Sequence, residues 1–174
     1  KPDNPELVEA RKRALQIFRR GEFLAKIAAS YEVSIAVGGS HGKTSITVMI
    51  THSLTKLGLN PGYMIGGKIK GYSKSGVAGE KFFVCESDES DGTNVLMKAK
   101  IAVVSNVDDD HEWNFKGGKD ELLANFANFA INSDYLVFGR SAQTEHIFRK
   151  HKNKISFGEK EFHTLPHEFS NLPD

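Results

Sequence analysis

The sequence predicts an α/β fold in which a mostly parallel sheet is flanked by helices. Its apolar segments are short, and they are apolar throughout, whereas the strands of a half-exposed sheet would alternate with polar residues. Segments with helical periodicity separate these candidate strands along the chain. The first candidate strand, residues 33–37, ends in a glycine turn that opens directly into a helical pattern. Strands that are buried on both faces and alternate with helices indicate a parallel sheet.

Composition narrows the classes of function. The 174 residues suffice for one domain with a sizeable core, and the 23 basic and 22 acidic residues leave a formal net charge of +1. This balance disfavours a nucleic-acid partner. Cys85 is the only cysteine, so no internal disulfide can form, and no apolar run reaches the ~20 residues of a membrane helix. We therefore expect a cytoplasmic protein without a membrane partner, and the missing initiator Met suggests a fragment.

Residues 1–30 predict a helical lead-in to the domain. Apolar residues recur on one side of the pattern from Pro5 to Ser30, and Gly21 is expected to divide it into two helices. The basic residues of this segment are interleaved with acids, which favours a solvent-exposed helix face over a nucleic-acid surface.

Residues 38–45, GGSHGKTS, predict an anion-binding loop, here called the phosphate loop. Glycines allow backbone N–H groups to close around an anion, and the N-terminus of the following helix adds its dipole. The Lys43 ammonium is placed to reach outer phosphates, and the Thr44 hydroxyl is placed to ligate magnesium. The loop is shorter than usual, because Val37 occupies the position where such loops normally begin with glycine. The predicted ligand is a nucleoside triphosphate with magnesium.

The remaining elements follow the same alternation. Apolar runs predict strands at residues 63–65, 81–85, 101–105, 135–138 and 155–157, and periodicity predicts helices at 46–57, 122–130 and 142–150. Residues 66–79 are rich in Gly, Ser and Lys, which indicates a hairpin or mobile loop with a possible substrate role. We assign residues 31–158 to one central domain and residues 159–174 to an irregular tail.

Acidic residues follow two of the predicted strands. Glu86 opens the acidic segment, residues 86–92, and Asp110 and His111 follow the next strand. Ligands of open parallel sheets bind beyond the carboxyl ends of the strands, so we expect these groups to converge on the phosphate loop. Carboxylate oxygens suit magnesium, and Glu86 is the first candidate ligand. For Glu89 and Asp91 a hydrated acidic loop explains the sequence at least as well.

Four motifs, in order, resemble the central ATPase domain of the Mur ligases. They are GGSHGKTS, MIGG, ESDESDG and SNVDDDH, and the similarity is greatest to the members that add L-alanine to UDP-N-acetylmuramate in peptidoglycan precursor synthesis. The resemblance implies that ATP converts a substrate carboxylate into an acyl phosphate, which an amine then attacks to give an amide. It also implies partners beyond this chain, namely flanking domains that hold the two small-molecule substrates.

The resemblance also implies roles for individual residues. Lys43 would neutralise the γ-phosphate, Thr44 would hold one magnesium ion, and Glu86 and His111 would hold a second. The ATP-binding set is Gly39, Ser40, His41, Gly42, Lys43, Thr44 and Ser45, and Asp88 and Ser90 are predicted substrate contacts.

Two alternatives remain open from sequence. One is the related ligase that attaches recovered murein tripeptide to the same nucleotide sugar, and the other is a nucleotide-binding module without ligase activity. The chain also departs from the family pattern at Glu112 and Trp113, where an apolar residue and Asp usually follow the histidine.

Overall fold

The computed structural model describes residues 3–67, 71–90, 92–108 and 115–158. The strands are β1 Val33–Gly38, β2 Gly62–Met64, β3 Gly76–Val77, β4 Phe82–Glu86, β5 Ile101–Val104, β6 Tyr135–Gly139 and β7 Lys154–Phe157. The helices are α1 Pro5–Lys12, α2 Arg20–Ala29, α3 Lys43–Lys56, α4 Thr93–Leu96, α5 Gly118–Ile131 and α6 Ala142–Ile147. None of the helices in these ranges is long and apolar enough to cross a membrane.

The strands form one sheet in the order β3-β2-β4-β1-β5-β6-β7. β3 pairs antiparallel with β2, and the other recorded pairings are parallel. The predicted mostly parallel sheet is therefore confirmed. Residues 66–79 were expected to form a hairpin or a mobile loop, and β3 within them pairs antiparallel with the preceding β2; residues 68–70 of the connection lie outside the described ranges.

Two apolar layers cover the faces of the sheet. Alternate residues of β1 divide between them, because successive side chains of a strand point to opposite faces. Ala36 clusters with buried residues of α2 and α5 and with Phe148, which follows α6, while Ile35 and Val37 pack with the apolar side of α3. Burial of both faces explains why the central strands lack a polar alternation. The helical pattern over residues 46–57 is confirmed as α3, although Met49 and Leu57 are exposed.

The predicted break at Gly21 is wrong. The chain leaves helical geometry earlier, after Lys12, where Ala14 has a φ of +54°, and Gly21 lies inside α2. The Glu22 carboxylate accepts a hydrogen bond from the Arg19 amide at 2.9 Å, which stabilises the start of α2. A Cβ at Gly21 would come within 2.5 Å of Thr93 Oγ1, so this glycine permits close packing of α2 against α4.

Other differences are small. α4 was not predicted, and α6 ends at Ile147, three residues before the predicted limit at Lys150. No residue of α1 is fully buried: Leu7 is partly exposed and Val8 is exposed, so the expected apolar side of the lead-in is not part of the core there. The division of the chain into a lead-in, a central domain and a tail stays a prediction, and residues 159–174 lie outside the described ranges.

Candidate functional site

The ends of four neighbouring strands meet at one edge of the sheet. β1 lies between β4 and β5, and β2 lies beyond β4. Val37 of β1 pairs with Glu86 of β4, so the phosphate loop and Glu86 begin at the same level. β1 and β4, which carry the phosphate loop and Glu86, are therefore neighbours, as convergence of these groups requires. Asp110 and His111 lie outside the described residues, and their place in the site stays a prediction.

The phosphate loop is held by the segment that follows β5. The Ser40 amide donates to the Asn106 carbonyl at 3.1 Å, and the His41 amide donates to Asn106 Oδ1 at 2.9 Å. The buried Ser40 hydroxyl accepts from the Asp108 amide at 2.8 Å. Sequence reasoning assigned no such role to Ser105, Asn106 or Asp108, although the SNVDDDH motif contains all three. These hydrogen bonds from the segment after β5 fix the conformation of the phosphate loop.

Two glycines are required by the loop geometry. Gly39 has a φ of +128° and Gly42 a φ of +81°, a region that L side chains rarely adopt. A Cβ at Gly39 would lie 2.1 Å from Ser105 Oγ and 3.0 Å from its amide nitrogen. Lys43, Thr44 and Ser45 then form the first turn of α3, whose N–H groups have no carbonyl acceptor within the helix. These amides and the helix dipole favour an anion at the loop.

The Lys43 ammonium folds back across the loop. Its Nζ donates to the Gly39 carbonyl at 2.6 Å, and it lies 3.1 Å and 3.3 Å from the two carboxylate oxygens of Glu89. The Glu89 side chain is 1% exposed and the Lys43 side chain 17%. The pair is therefore a buried ion pair at the centre of the candidate site.

For Glu89 the alternative of a hydrated acidic loop is wrong, because its side chain is buried, and Asp91 lies outside the described residues. The acidic segment is packed: the buried Ser87 hydroxyl donates to Asn94 Oδ1 at 2.6 Å, and the Asn94 amide donates to the Asp88 carbonyl at 3.2 Å. Both bonds link the acidic segment to α4, which follows it immediately in the chain. They hold the segment against the interior of the protein. A run of acids alone does not reveal this burial. The only sequence signal was that the ESDESDG motif includes Glu89.

Thr44 and Glu86 lie side by side. The Thr44 hydroxyl donates to Glu86 Oε2 at 3.0 Å, and the Gly66 amide donates to Glu86 Oε1 at 2.8 Å. A hydroxyl and a carboxylate are oxygen donors of the kind that magnesium prefers, so these two residues fit the predicted metal. Within the described ranges no group of three or more His, Cys, Asp and Glu is arranged to hold a metal ion.

Asp88 and Ser90 are engaged with each other. Asp88 Oδ1 accepts from the Ser90 amide at 2.9 Å and from the Ser90 hydroxyl at 2.8 Å. Burial alone would raise the pKa of Asp88, but the Ser90 hydrogen bonds and the positive charges of Lys43 and Arg20 outweigh it, so the pKa is lowered. Asp88 is therefore held as an anion beside the loop. Whether the two residues contact substrate stays a prediction.

Cys85 is fully buried beside Glu86, and it is not a nucleophile. Burial, with a smaller contribution from the Glu86 charge, raises the pKa of the thiol from 9.0 to about 12. The interpretation of Cys85 as a core thiol is confirmed.

The sequence of this chain is similar to those of curated ligases, although no family model matches it. A UDP-N-acetylmuramate–L-alanine ligase from Phenylobacterium zucineum (strain HLK1) is 41% identical over 139 residues, which cover 79% of this chain and 29% of that protein. Over this span the chain is a homologue of the Mur ligases. Curated relatives of this family are matched over less than a third of their length, 17% to 29% in the first three.

Solved structures of Mur ligases have the same fold. The UDP-N-acetylmuramate–alanine ligase of Thermotoga maritima superposes with a TM-score of 0.76 at 24% identity, covering 91% of this chain and 37% of that one. The UDP-N-acetylmuramate:L-alanyl-γ-D-glutamyl-meso-diaminopimelate ligase of Neisseria meningitides gives a TM-score of 0.76 at 22% identity, covering 91% and 56%. The α/β fold is therefore that of a Mur ligase.

Proposed function

We propose that this chain is the ATP-binding part of a ligase that joins L-alanine to UDP-N-acetylmuramate through an acyl phosphate. The observation that carries the proposal is the arrangement of the phosphate loop, Lys43, Thr44 and Glu86 at one sheet edge, in a chain 41% identical to an alanine-adding ligase. A cytoplasmic location follows from the use of ATP as substrate.

The residues of the phosphate loop perform the binding work in this proposal. The amides of Gly42 to Ser45 and the α3 dipole hold the phosphate chain, and Lys43 neutralises charge on the γ-phosphate. A carboxylate oxygen attacks the γ-phosphorus, and ADP leaves. The amine nitrogen then attacks the acyl carbon and phosphate leaves, so an amide forms and the amine loses a proton.

Thr44 would hold one magnesium ion, and Glu86 and His111 would hold a second. The two ions would supply charge neutralisation at the phosphates. The chain's own contribution is to fix Glu86, whose two oxygens are oriented by Gly66 and Thr44.

The test uses the complete gene product that contains this sequence. It is incubated with magnesium, ATP, UDP-N-acetylmuramate and L-alanine, and mass spectrometry follows the amide while ADP and phosphate are quantified. We expect one ADP and one phosphate per amide, and no amide without L-alanine. ATP binding with no amide formed would favour a nucleotide-binding module instead. The 174-residue chain alone should give no product, because the proposed flanking domains position the carboxylate and the amine.

The murein tripeptide ligase is the second candidate. Its support is the TM-score of 0.76 to the Neisseria ligase, equal to that of the alanine ligase structure. The same assay with L-alanyl-γ-D-glutamyl-meso-diaminopimelate in place of L-alanine separates the two candidates. A higher kcat/KM for the tripeptide would reject the alanine proposal.

A further inference from the structure

Glu89 is a buried acid to which the proposed mechanism gives no task. Its side chain is 1% exposed, and both carboxylate oxygens lie within 3.3 Å of Lys43 Nζ. A buried carboxylate is retained only where a partner offsets its desolvation. Among the described residues, Lys43 is the cation recorded in contact with it.

The contacts of Lys43 direct its ammonium toward the phosphate loop and Glu89. An ammonium has three N–H donors. Lys43 Nζ faces the Gly39 carbonyl at 2.6 Å, the Glu89 carboxylate at 3.1 Å and, more weakly, the Ser40 carbonyl at 3.5 Å. The Lys43 side chain therefore links the end of the phosphate loop to its beginning at Gly39.

We propose that Glu89 is the counter-ion that Lys43 exchanges for the terminal phosphate of ATP, so that Glu89 positions Lys43 and sets the affinity for nucleotide. This inference rests on the proposed function, because it takes ATP to bind at the phosphate loop. The phosphate must draw the ammonium away from a carboxylate that stays buried beside it. The like charges repel across a medium of lower dielectric than water, so Glu89 opposes ATP binding.

The first experiment measures ATP and ADP affinities calorimetrically for the wild type and Glu89→Gln. Neutral Gln has nearly the same shape, so we expect the Kd for ATP to fall on the order of tenfold, with a smaller change for ADP, which lacks the terminal phosphate. Glu32→Gln is the matched control. This substitution makes the same charge change at an exposed site. Glu32 forms an ion pair with Lys81 and lies before β1, at the opposite end of the strands from the phosphate loop. Unchanged or weaker ATP binding by folded Glu89→Gln overturns the proposal.

The second experiment needs no nucleotide. Amine acetylation followed by peptide mass spectrometry compares the labelling rate of Lys43 with that of exposed Lys56 in the same sample. We expect Lys43 to react several-fold faster in Glu89→Gln than in the wild type, while Lys56 does not change. Equal Lys43 rates in the two proteins overturn the positioning role. If neither protein binds ATP, the proposed function fails together with the exchange, whereas the labelling rate still decides whether Glu89 holds Lys43.

A third comparison covers the case in which Glu89→Gln does not fold. Lys43→Met leaves the buried Glu89 carboxylate without its partner, and Lys43→Met/Glu89→Gln removes both charges. We expect the single variant to have a lower Tm than the double variant. Equal Tm values contradict the assigned pairing.

Discussion

Thr44 donates its hydroxyl hydrogen to Glu86 across the gap between the first turn of α3 and the last residue of β4, with 3.0 Å between Oγ1 and Oε2. The Gly66 amide fixes the other carboxylate oxygen at 2.8 Å. Three segments that are distant in sequence therefore arrange two oxygen donors beside the phosphate loop, and this arrangement leads to the first prediction.

Thr44→Val and Glu86→Gln should each abolish most of the gain in ATP affinity that magnesium provides. Thr44→Val removes an oxygen ligand of the first proposed magnesium ion, and Glu86→Gln removes a charged oxygen ligand of the second. Calorimetric ATP titrations with magnesium and with EDTA measure this gain. Thr55→Val makes the same change on the same helix, where the hydroxyl donates to the Thr51 carbonyl, and it should keep the wild-type gain. A magnesium effect that survives in both site variants would reject the assignment.

Lys43→Ala should weaken ATP binding and also destabilise the fold. The lost ammonium would otherwise meet the outer phosphates, and its removal leaves the buried Glu89 carboxylate unpaired, at a cost of about 3 kcal/mol. Calorimetry with magnesium and ATP tests the first effect, and urea unfolding tests the second. A folded variant that binds ATP as tightly as the wild type would contradict the proposed role of Lys43 in binding the outer phosphates.

Gly39→Ala should destabilise the protein by several times the effect of Gly58→Ala. Both glycines have positive φ values, +128° and +75°, so both variants carry backbone strain of about 1 kcal/mol. At Gly39 the new Cβ would also collide with Ser105, whereas no described residue lies within 4 Å of a Cβ at Gly58. Free energies of unfolding from urea titrations compare the two variants. Equal losses of stability would contradict the close contact between the phosphate loop and the segment after β5.

The Cys85 thiol should make the protein less stable at alkaline pH. An unfolded thiol ionises near pH 9.0, whereas the folded one stays protonated up to about pH 12. Above pH 9 the unfolded state therefore binds fewer protons, and this contribution to stability falls by about 1.4 kcal/mol per pH unit. Urea unfolding at about pH 8 and about pH 10 measures the loss, which should be smaller in Cys85→Ala. Parallel pH profiles for the two proteins would show that the thiol titrates normally.

His111→Ala in the complete enzyme should slow acyl phosphate formation more than it weakens ATP binding. The resemblance to Mur ligases places this histidine on the second magnesium, where it would act on phosphoryl transfer. Rapid-quench measurement of acyl phosphate and an equilibrium ATP titration separate the two effects. Unchanged turnover would leave His111 without a part in the reaction.

The sheet was predictable from sequence because its strands are short, apolar and separated by periodic helices. The position of the phosphate loop after β1 followed from the same pattern, since a strand, a glycine turn and a helix are adjacent in the chain. Contacts between distant segments were not predictable. Hydrophobic periodicity does not show that Glu89 turns inward, that Gly66 donates to Glu86, or that Asn106 supports the loop.

Gly21 is a second example of a contact between distant segments that the sequence did not predict. A glycine within a helical pattern usually indicates a break, but here it marks a close approach between two helices. Its local sequence is the same in either case, and only the position of Thr93 decides between them.

The contact between Gly21 and Thr93 also links two parts of the molecule mechanically. α2 rests on α4 with no space for a single methyl group, and Asn94 of α4 is bonded to Ser87 and to the Asp88 carbonyl. Interiors packed this tightly transmit displacements instead of absorbing them. The contact between α2 and α4 therefore also constrains the position of the segment that carries Glu89, beside the phosphate loop.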